Sequence, residues 1–346
     1  MSTSNSVISI ITPSFNRASI VHETAESIFG QTSANWEWVI VDDGSTDNSW
    51  ELLEQYAAKD ERVKIYKRER EPKGACTCRN IAVERSTGDY VMFLDTDDVL
   101  APFCIEQRLA AIEKEGDVDF VVFPMLLFNK ELHDLDLLWN IDKNEDDLQR
   151  VLIGDPVCQG TGPLWKKESF KEVGMWREDL KLWQDIELHI RSFLYPVKYK
   201  KRLDLHPDVY LRISEDSLSR VGYHAAPKLK SRKVVFEYTC TEMAKKQKLD
   251  KYTDAVRSMG VDVILSLING RLYDDADELL EITKHHDIFK REELKYFSQY
   301  MNAYKAKLYK LPALFNPIKK RVQDIPMHYE TTMNKIKWEQ SNYSKV

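Results

Sequence analysis

Two aspartates one residue apart, Asp95 and Asp97, close the apolar run Tyr90-Val91-Met92-Phe93-Leu94, and Asp98 follows directly. Side chains at i and i+2 of an extended segment point the same way, so Asp95 and Asp97 can share one hard cation. Magnesium or manganese is commonly held by one or two carboxylates and completed by substrate phosphates. An apolar run ending in acids also reads as a buried strand that delivers charge to the carboxyl edge of a parallel sheet. Open α/β sheets place their ligands at that edge. The same Thr96-Asp97-Asp98 can instead cap a helix starting near Pro102, a purely structural use.

The elements that must position these acids are visible upstream. Val7–Ile11 is apolar and stops at Thr12-Pro13-Ser14-Phe15-Asn16-Arg17, and Trp36–Val41 ends in Asp42-Asp43-Gly44-Ser45-Thr46-Asp47. Each run gives way to turn residues and then to a helical pattern, with Ser45 or Asp47 as N-cap of a helix through about Ala58. Strands alternating with helices predict βαβ units around a parallel sheet. Phe15 offers a ring on which a base can stack, and an acid at a strand end can accept a base N–H. A plain strand-to-helix turn accounts for Asp42-Asp43-Gly44 as well.

Together, Pro13–Arg17, Val41–Asp47, Arg79-Asn80, Gly88-Asp89-Tyr90 and Phe93–Asp98 resemble the family 2 glycosyltransferases in order and spacing. These are inverting enzymes with a GT-A nucleotide-sugar fold. The resemblance is close over the first hundred or so residues, weakens to about Ser219 and stops. It implies an α/β catalytic domain over residues 1–222, a mostly parallel Rossmann-like sheet with flanking helices, ahead of an α-helical region over 223–346. Pro13 and Phe15 then belong to the donor site, with Phe15 stacked on the base, usually uracil, and Asp42 accepting from its ring nitrogen. Arg79 faces the diphosphate or donor sugar; without the motif it reads as an exposed helix arginine. Asp95 lies near the ribose and a metal-bound water, Asp97 holds Mn2+ or Mg2+ directly, and Asp43 mainly organises the turn.

Gly160–Lys167 and Phe170–Gly174 look like the family's acceptor-side strand and short helix. Gln184-Asp185 stands where many members carry Glu-Asp, which makes Asp185 the expected general base. An inverting displacement needs one carboxylate within reach of the acceptor hydroxyl and no protein nucleophile. Asp185 can also simply open a helix, where a carboxylate favours the positive end of the dipole; the two roles are compatible. Glu187 competes for the role but faces another way on a helix. Gln184 cannot repel Asp185, so the base is expected to be less basic than beside a glutamate. Ser214 occupies the place of a histidine found near the metal or phosphate in relatives, with His206 and His224 flanking the segment. Arg212 is the remaining diphosphate partner there. Of the local tryptophans, Trp183 beside the base is expected on an acceptor sugar, and Trp165 and Trp176 in the core.

The chain has 346 residues, 43% of them hydrophobic, and a net charge of -6. Length favours about two domains, and the charge argues against nucleic acid as a partner. No apolar run reaches the roughly 18 residues of a membrane span, and the polar start Met1–Ser6 is not signal-like. Five cysteines without framework spacing fit a reducing cytoplasm, and Cys76-Thr77-Cys78 reads as incidental. Asn129–Asp155 is acidic and irregular: a mobile loop over the acceptor cleft or a solvated insertion.

From about Ala225 the pattern is helical. Leu294, Phe297, Met301, Tyr304, Leu308 and Leu311 recur as one continuous helix face, for packing inside the chain or for a homodimer seam. Lys305, Lys307, Lys310, Lys319, Lys320 and Arg321 follow without an intervening acid, interleaved with Leu308, Leu311, Leu314, Phe315 and Ile318. That segment is either a solvated face or a peripheral contact with an anionic membrane, such as the inner face of the cell membrane.

The expected function is metal-dependent, inverting transfer of a sugar from a nucleotide diphosphate, the uridine form first, to a saccharide or lipid-linked saccharide. A sugar nucleotidyltransferase would open with a Gly-rich phosphate loop, which Thr12–Arg17 lacks. The alternative is a catalytically silent nucleotide-sugar-binding or scaffold protein, against which the intact Asp95, Asp97 and Asp185 argue.

Overall fold

The computed structural model describes residues 6–143, 145–213, 221–325 and 337–338. Ser214, and with it the departure from the family histidine, lies outside these residues. The first three apolar runs form strands β1 (Ile8–Ser14), β2 (Trp36–Asp42) and, after β3 (Val63–Lys67), β4 (Tyr90–Phe93). Next come β5 (Val99–Leu100), β6 (Phe120–Val122), β7 (Met125–Phe128) and β8 (Leu137–Leu138). The last strands are β9 (Pro163–Lys166), β10 (Tyr199–Lys201) and β11 (Val209–Arg212).

The main sheet runs β10-β6-β9-β4-β1-β2-β3 and is parallel except at β9. From β1 the chain steps outward through β2 and β3, then returns to place β4 on the other side of β1. The strand order therefore reverses between β1 and β4, which makes their carboxyl ends the ligand edge of the sheet. Both faces are covered, which is why β1, β2 and β4 read as nearly unbroken apolar runs. The covering helices are α1 (Val21–Phe29), α2 (Ser49–Lys59), α3 (Ala75–Arg85) and α4 (Cys104–Glu115). Helix α2 starts past the expected caps: Asp47 accepts from the Ser49 amide at 3.0 Å, while the Ser45 hydroxyl turns back to Asp42 at 2.5 Å.

A second sheet, β5-β11-β7-β8, stands beside the ligand edge. The acidic stretch 129–155 contributes β8 and helix α5 (Asp147–Leu152), capped by the Asp146 carboxylate. Its acids are tied down: Asp142 and Asp147 by Lys201, Asp146 by Lys251, and Asp155 by Arg150 and Lys143. The segment is an anchored edge of the domain.

Helices α6 (Lys167–Val173) and α7 (Gln184–Leu194) complete the sheet region. Helices α8 (Ala226–Lys245), α9 (Leu249–Asn269), α10 (Tyr273–His285), α11 (Arg291–Lys305) and α12 (Pro312–Gln323) follow. These helices share one apolar core with α5 and α7, through Leu148, Val151, Ile190 and Leu194. The single long helix face expected over Leu294–Leu311 is broken. Phe297 and Met301 are buried, but α11 stops at Lys305, Lys307 turns left-handed with φ 57, and a short 3-10 turn leads to α12. Pro312 accounts for the later boundary: it disfavours helical backbone at Leu311 and sits comfortably as the first residue of a new helix. No helix among the described residues is long and apolar enough to cross a membrane.

At the opposite, amino-terminal edge of the sheet, buried Glu37 clamps β1, β2 and the turn before β4. It accepts from Ser9 Oγ at 2.7 Å, Lys64 Nζ at 2.5 Å, Gly88 N at 3.0 Å and Thr87 Oγ1 at 2.8 Å. Burial pushes its carboxyl up, but Lys64, Ser9 and Thr87 outweigh that and hold it at about 2, against an ordinary 4.5. A depressed folded value stabilises fully above the ordinary one and is lost as pH falls towards the folded one. We expect on the order of 3 kcal/mol to disappear between pH 4.5 and 2. Urea midpoints across that window check this; Glu37→Gln should remove most of the slope that this group contributes.

Candidate active site

The chain leaves β4 through buried Leu94, and the Asp98 amide closes a turn on the Asp95 carbonyl at 3.2 Å. That turn separates the four residues. Asp95 and Asp97 stay partly open, whereas Thr96 and Asp98 are buried. Asp98 accepts from the Arg212 amide at 3.0 Å, and burial beside Asp97 and Asp95 pushes its carboxyl well up. It belongs to the interior.

Asp95 is gripped by Arg79, whose Nη2 lies 2.6 Å from Asp95 Oδ1. Arg79 is not an exposed helix residue. It points from α3 into the interior, 5.1 Å from the Trp176 ring, and its Nε has no partner within the described residues. Its Nη1 lies 3.5 Å from Gln184 Oε1 at the start of α7, a long contact that marks proximity more than bond strength. One guanidinium therefore connects the turn after β4 to the residue beside Asp185.

Asp185 stands in the first turn of α7, as expected of a helix-opening acid. Burial pushes its carboxyl up; Arg79 pulls it down, Asp95 pushes it up, and the Gly160 amide steadies the charged form. Gln184 adds no charge, and burial sets the direction: the base is raised above an ordinary aspartate. Gly160 was not singled out as a site residue. A Cβ there would sit 3.1 Å from Trp176 Cη2 and 3.4 Å from Asp185 Oδ1. Its only sequence signal is the Gly160-Thr161-Gly162 turn, where close approach leaves no room for a side chain. Trp176 is both core, as expected, and the floor beneath Arg79.

Asp97 is raised by burial and by Asp95, with Arg17 and Arg212 opposing. A carboxylate pushed up by burial and by a neighbouring acid would be relieved by a cation at that turn. No group of three or more His, Cys, Asp or Glu side chains among the described residues can hold a metal. A cation held by Asp95 and Asp97 would need its remaining ligands from outside the chain, such as phosphate and water. The flanking histidines do not join them: His206 packs between Phe103 and Trp338, and His224 lies on Tyr223.

At the end of β1, Pro13 pairs in register with Val41, and Phe15 is 39% exposed with Lys73 Nζ 3.9 Å above its ring. Asp42 is largely committed to its own turn, accepting from the Gly44 and Ser45 amides at 3.0 and 2.9 Å. Asp43 is held by Arg68 at 2.6 Å.

Two expectations change, and Glu187 gains a partner. Arg212 has a protein partner at every guanidinium nitrogen: Glu23 at 2.5 Å, the Asp97 carbonyl at 3.1 Å, and the Asn129 and Lys130 carbonyls at 3.4 Å. It braces the Asp97 turn and does not stand free for a diphosphate. Trp183 adopts left-handed backbone, φ 62, and packs against the C-terminal helical core, with Arg232 4.6 Å from its ring. That face is taken. Glu187 is buried and paired with Arg191 at 2.9 Å, which ties α7 to the end of α6, and so is no rival base.

A mostly parallel sheet with its acids, one arginine and a second acid-bearing helix gathered at the reversal point defines a GT-A-type α/β domain. Residues 9–174, just under half of the chain, match the model of glycosyl transferase family 2. It is 42% identical over 103 residues to "Putative teichuronic acid biosynthesis glycosyltransferase TuaG" of Bacillus subtilis, covering 30% of this chain and 40% of that one. It is 34% identical over 116 residues to "Glycosyltransferase GlyG" of Streptococcus pneumoniae, covering 34% and 38%. The chain thus spans well under two thirds of these relatives. S. aureus TarS 1-349, solved in complex with UDP-GlcNAc, shares the fold with a TM-score of 0.63 at 18% identity, over 92% of this chain and 91% of that one.

Proposed function

We propose that the chain transfers a sugar from a nucleotide diphosphate, most simply a uridine one, to a hydroxyl of a saccharide or lipid-linked saccharide, with inversion. The single carrying observation is Arg79, which joins the Asp95 turn to the helix of Asp185. A donor lying along the carboxyl edge would set its base on Phe15 and its diphosphate towards Arg79. Asp185, on the helix across from that turn, would take the acceptor proton. A raised carboxyl in a buried pocket is a stronger base than a solvated one, which suits proton removal from an alcohol. Mn2+ or Mg2+, held by Asp95 and Asp97, would neutralise charge on the departing diphosphate. The UDP-GlcNAc bound to TarS and the teichuronic acid biosynthesis in the name of TuaG are in keeping with this donor and acceptor class.

Uridine diphosphate is expected to raise the melting temperature in manganese or magnesium and to do so far less in excess chelator. Asp97→Ala should lose the metal-dependent part while melting normally without nucleotide. Equal stabilisation with and without the cation would refute the metal assignment; no stabilisation by any nucleoside diphosphate would refute the donor.

A further inference from the structure

The chain is acidic overall, at -6, yet from Leu294 to Gln323 it contains no Asp or Glu and seven Lys or Arg. Among the described residues, only Lys305 of these seven reaches an acid, Asp277 at 3.7 Å. Helix α12 seats Phe315 against Tyr300 and Tyr304 of α11 and buries Val322 one side of itself. The rest of it faces outward. Leu311 and Leu314 are 54% and 58% exposed, and Pro312, Ala313 and Pro317 are exposed beside them. Exposed Lys307, Lys310 and Lys320 stand around these apolar side chains. Isolated surface leucines need no explanation. Two together on a short helix, ringed by unpaired cations, form an amphipathic surface of the kind that lies flat at a lipid interface.

We propose that α12 and the turn before it rest on an anionic bilayer. Leu311 and Leu314 enter the headgroup boundary, and Lys307, Lys310 and Lys320 meet lipid phosphates. The charge selects an anionic surface; the exposed leucines select a lipid over a nucleic acid, whose phosphates offer them nothing. The contact needs no step of the transfer reaction, so it stands or falls separately from the proposed activity.

Sedimentation of the full chain with phosphatidylglycerol-containing vesicles tests it. The chain should pellet with these, not with phosphatidylcholine alone, and should be released as salt rises to about 0.5 M. The pair Leu311→Glu and Leu314→Glu should weaken vesicle binding at least roughly tenfold with little change in melting temperature, because more than half of each residue's surface is already exposed. Failure of the wild type to pellet, equal binding to neutral vesicles, or wild-type binding by the double variant would each overturn the proposal. So would a wild-type dimer, by light scattering, that the double variant splits, since the face would then belong to a second copy of the chain.

Discussion

Asp185→Asn is expected to cut transfer by roughly 10²–10⁴-fold, the span for losing a positioned base, while donor affinity stays close to wild type. Asn keeps the shape and can still receive the Gly160 amide, so the helix start survives. What is lost is the charge that takes the acceptor proton, a term felt in the transition state and not in donor binding. Single-turnover transfer alongside nucleotide titration separates the two. Because burial holds Asp185 above the ordinary aspartate value of 3.8, the acid limb of kcat/KM should lie above that value too. The base works only when ionised, so activity falls as pH drops through the raised value. Glu187→Gln is the instructive comparison: it breaks the buried pair with Arg191 and should lower stability, with the rate of the folded fraction little changed. A rate loss confined to Glu187→Gln, with Asp185→Asn near wild type, would reassign the base.

The largest stability effect should come from Asp208→Ala, at about 3–5 kcal/mol. Arg108 and Asp208 form a bidentate pair, 2.9 and 2.8 Å, with both side chains completely buried. Removing the acid leaves a guanidinium in the interior with only the Thr161 carbonyl, at 3.1 Å, to receive it. That carbonyl adjoins the Gly160 turn that supports Asp185, so the loss should reach the site as well as the fold. Replacing both partners with apolar residues, as in Arg108→Met with Asp208→Leu, removes the stranded charge and should recover much of the stability. Denaturant midpoints of the two variants decide the matter. Equal losses would mean that shape, not charge, dominates there.

Much of the catalytic half was written locally. The nearly unbroken apolar runs ending at Ile11, Val41 and Leu94 are legible because a strand buried on both faces has no alternation to hide it. The turn residues after them mark the carboxyl edge, and the short helix expected over Phe170–Gly174 forms, closed by Gly174 with φ 103. Pro312 lay in plain view too, yet the apolar spacing on either side of it concealed the break.

What the sequence alone determined, then, was which elements form and which acids arrive at the edge. The tertiary structure decided which side chains meet and which are already spent. Asp95 and Asp185 lie far apart along the chain, and only the packing of α3 against Trp176 lets Arg79 connect their turns. Trp183 and Arg212 sit in suggestive motifs, but a left-handed backbone turns one towards the C-terminal helices, and four oxygens occupy the other. Partner choice depends on long-range packing and desolvation, and those exist only once the chain has closed on itself.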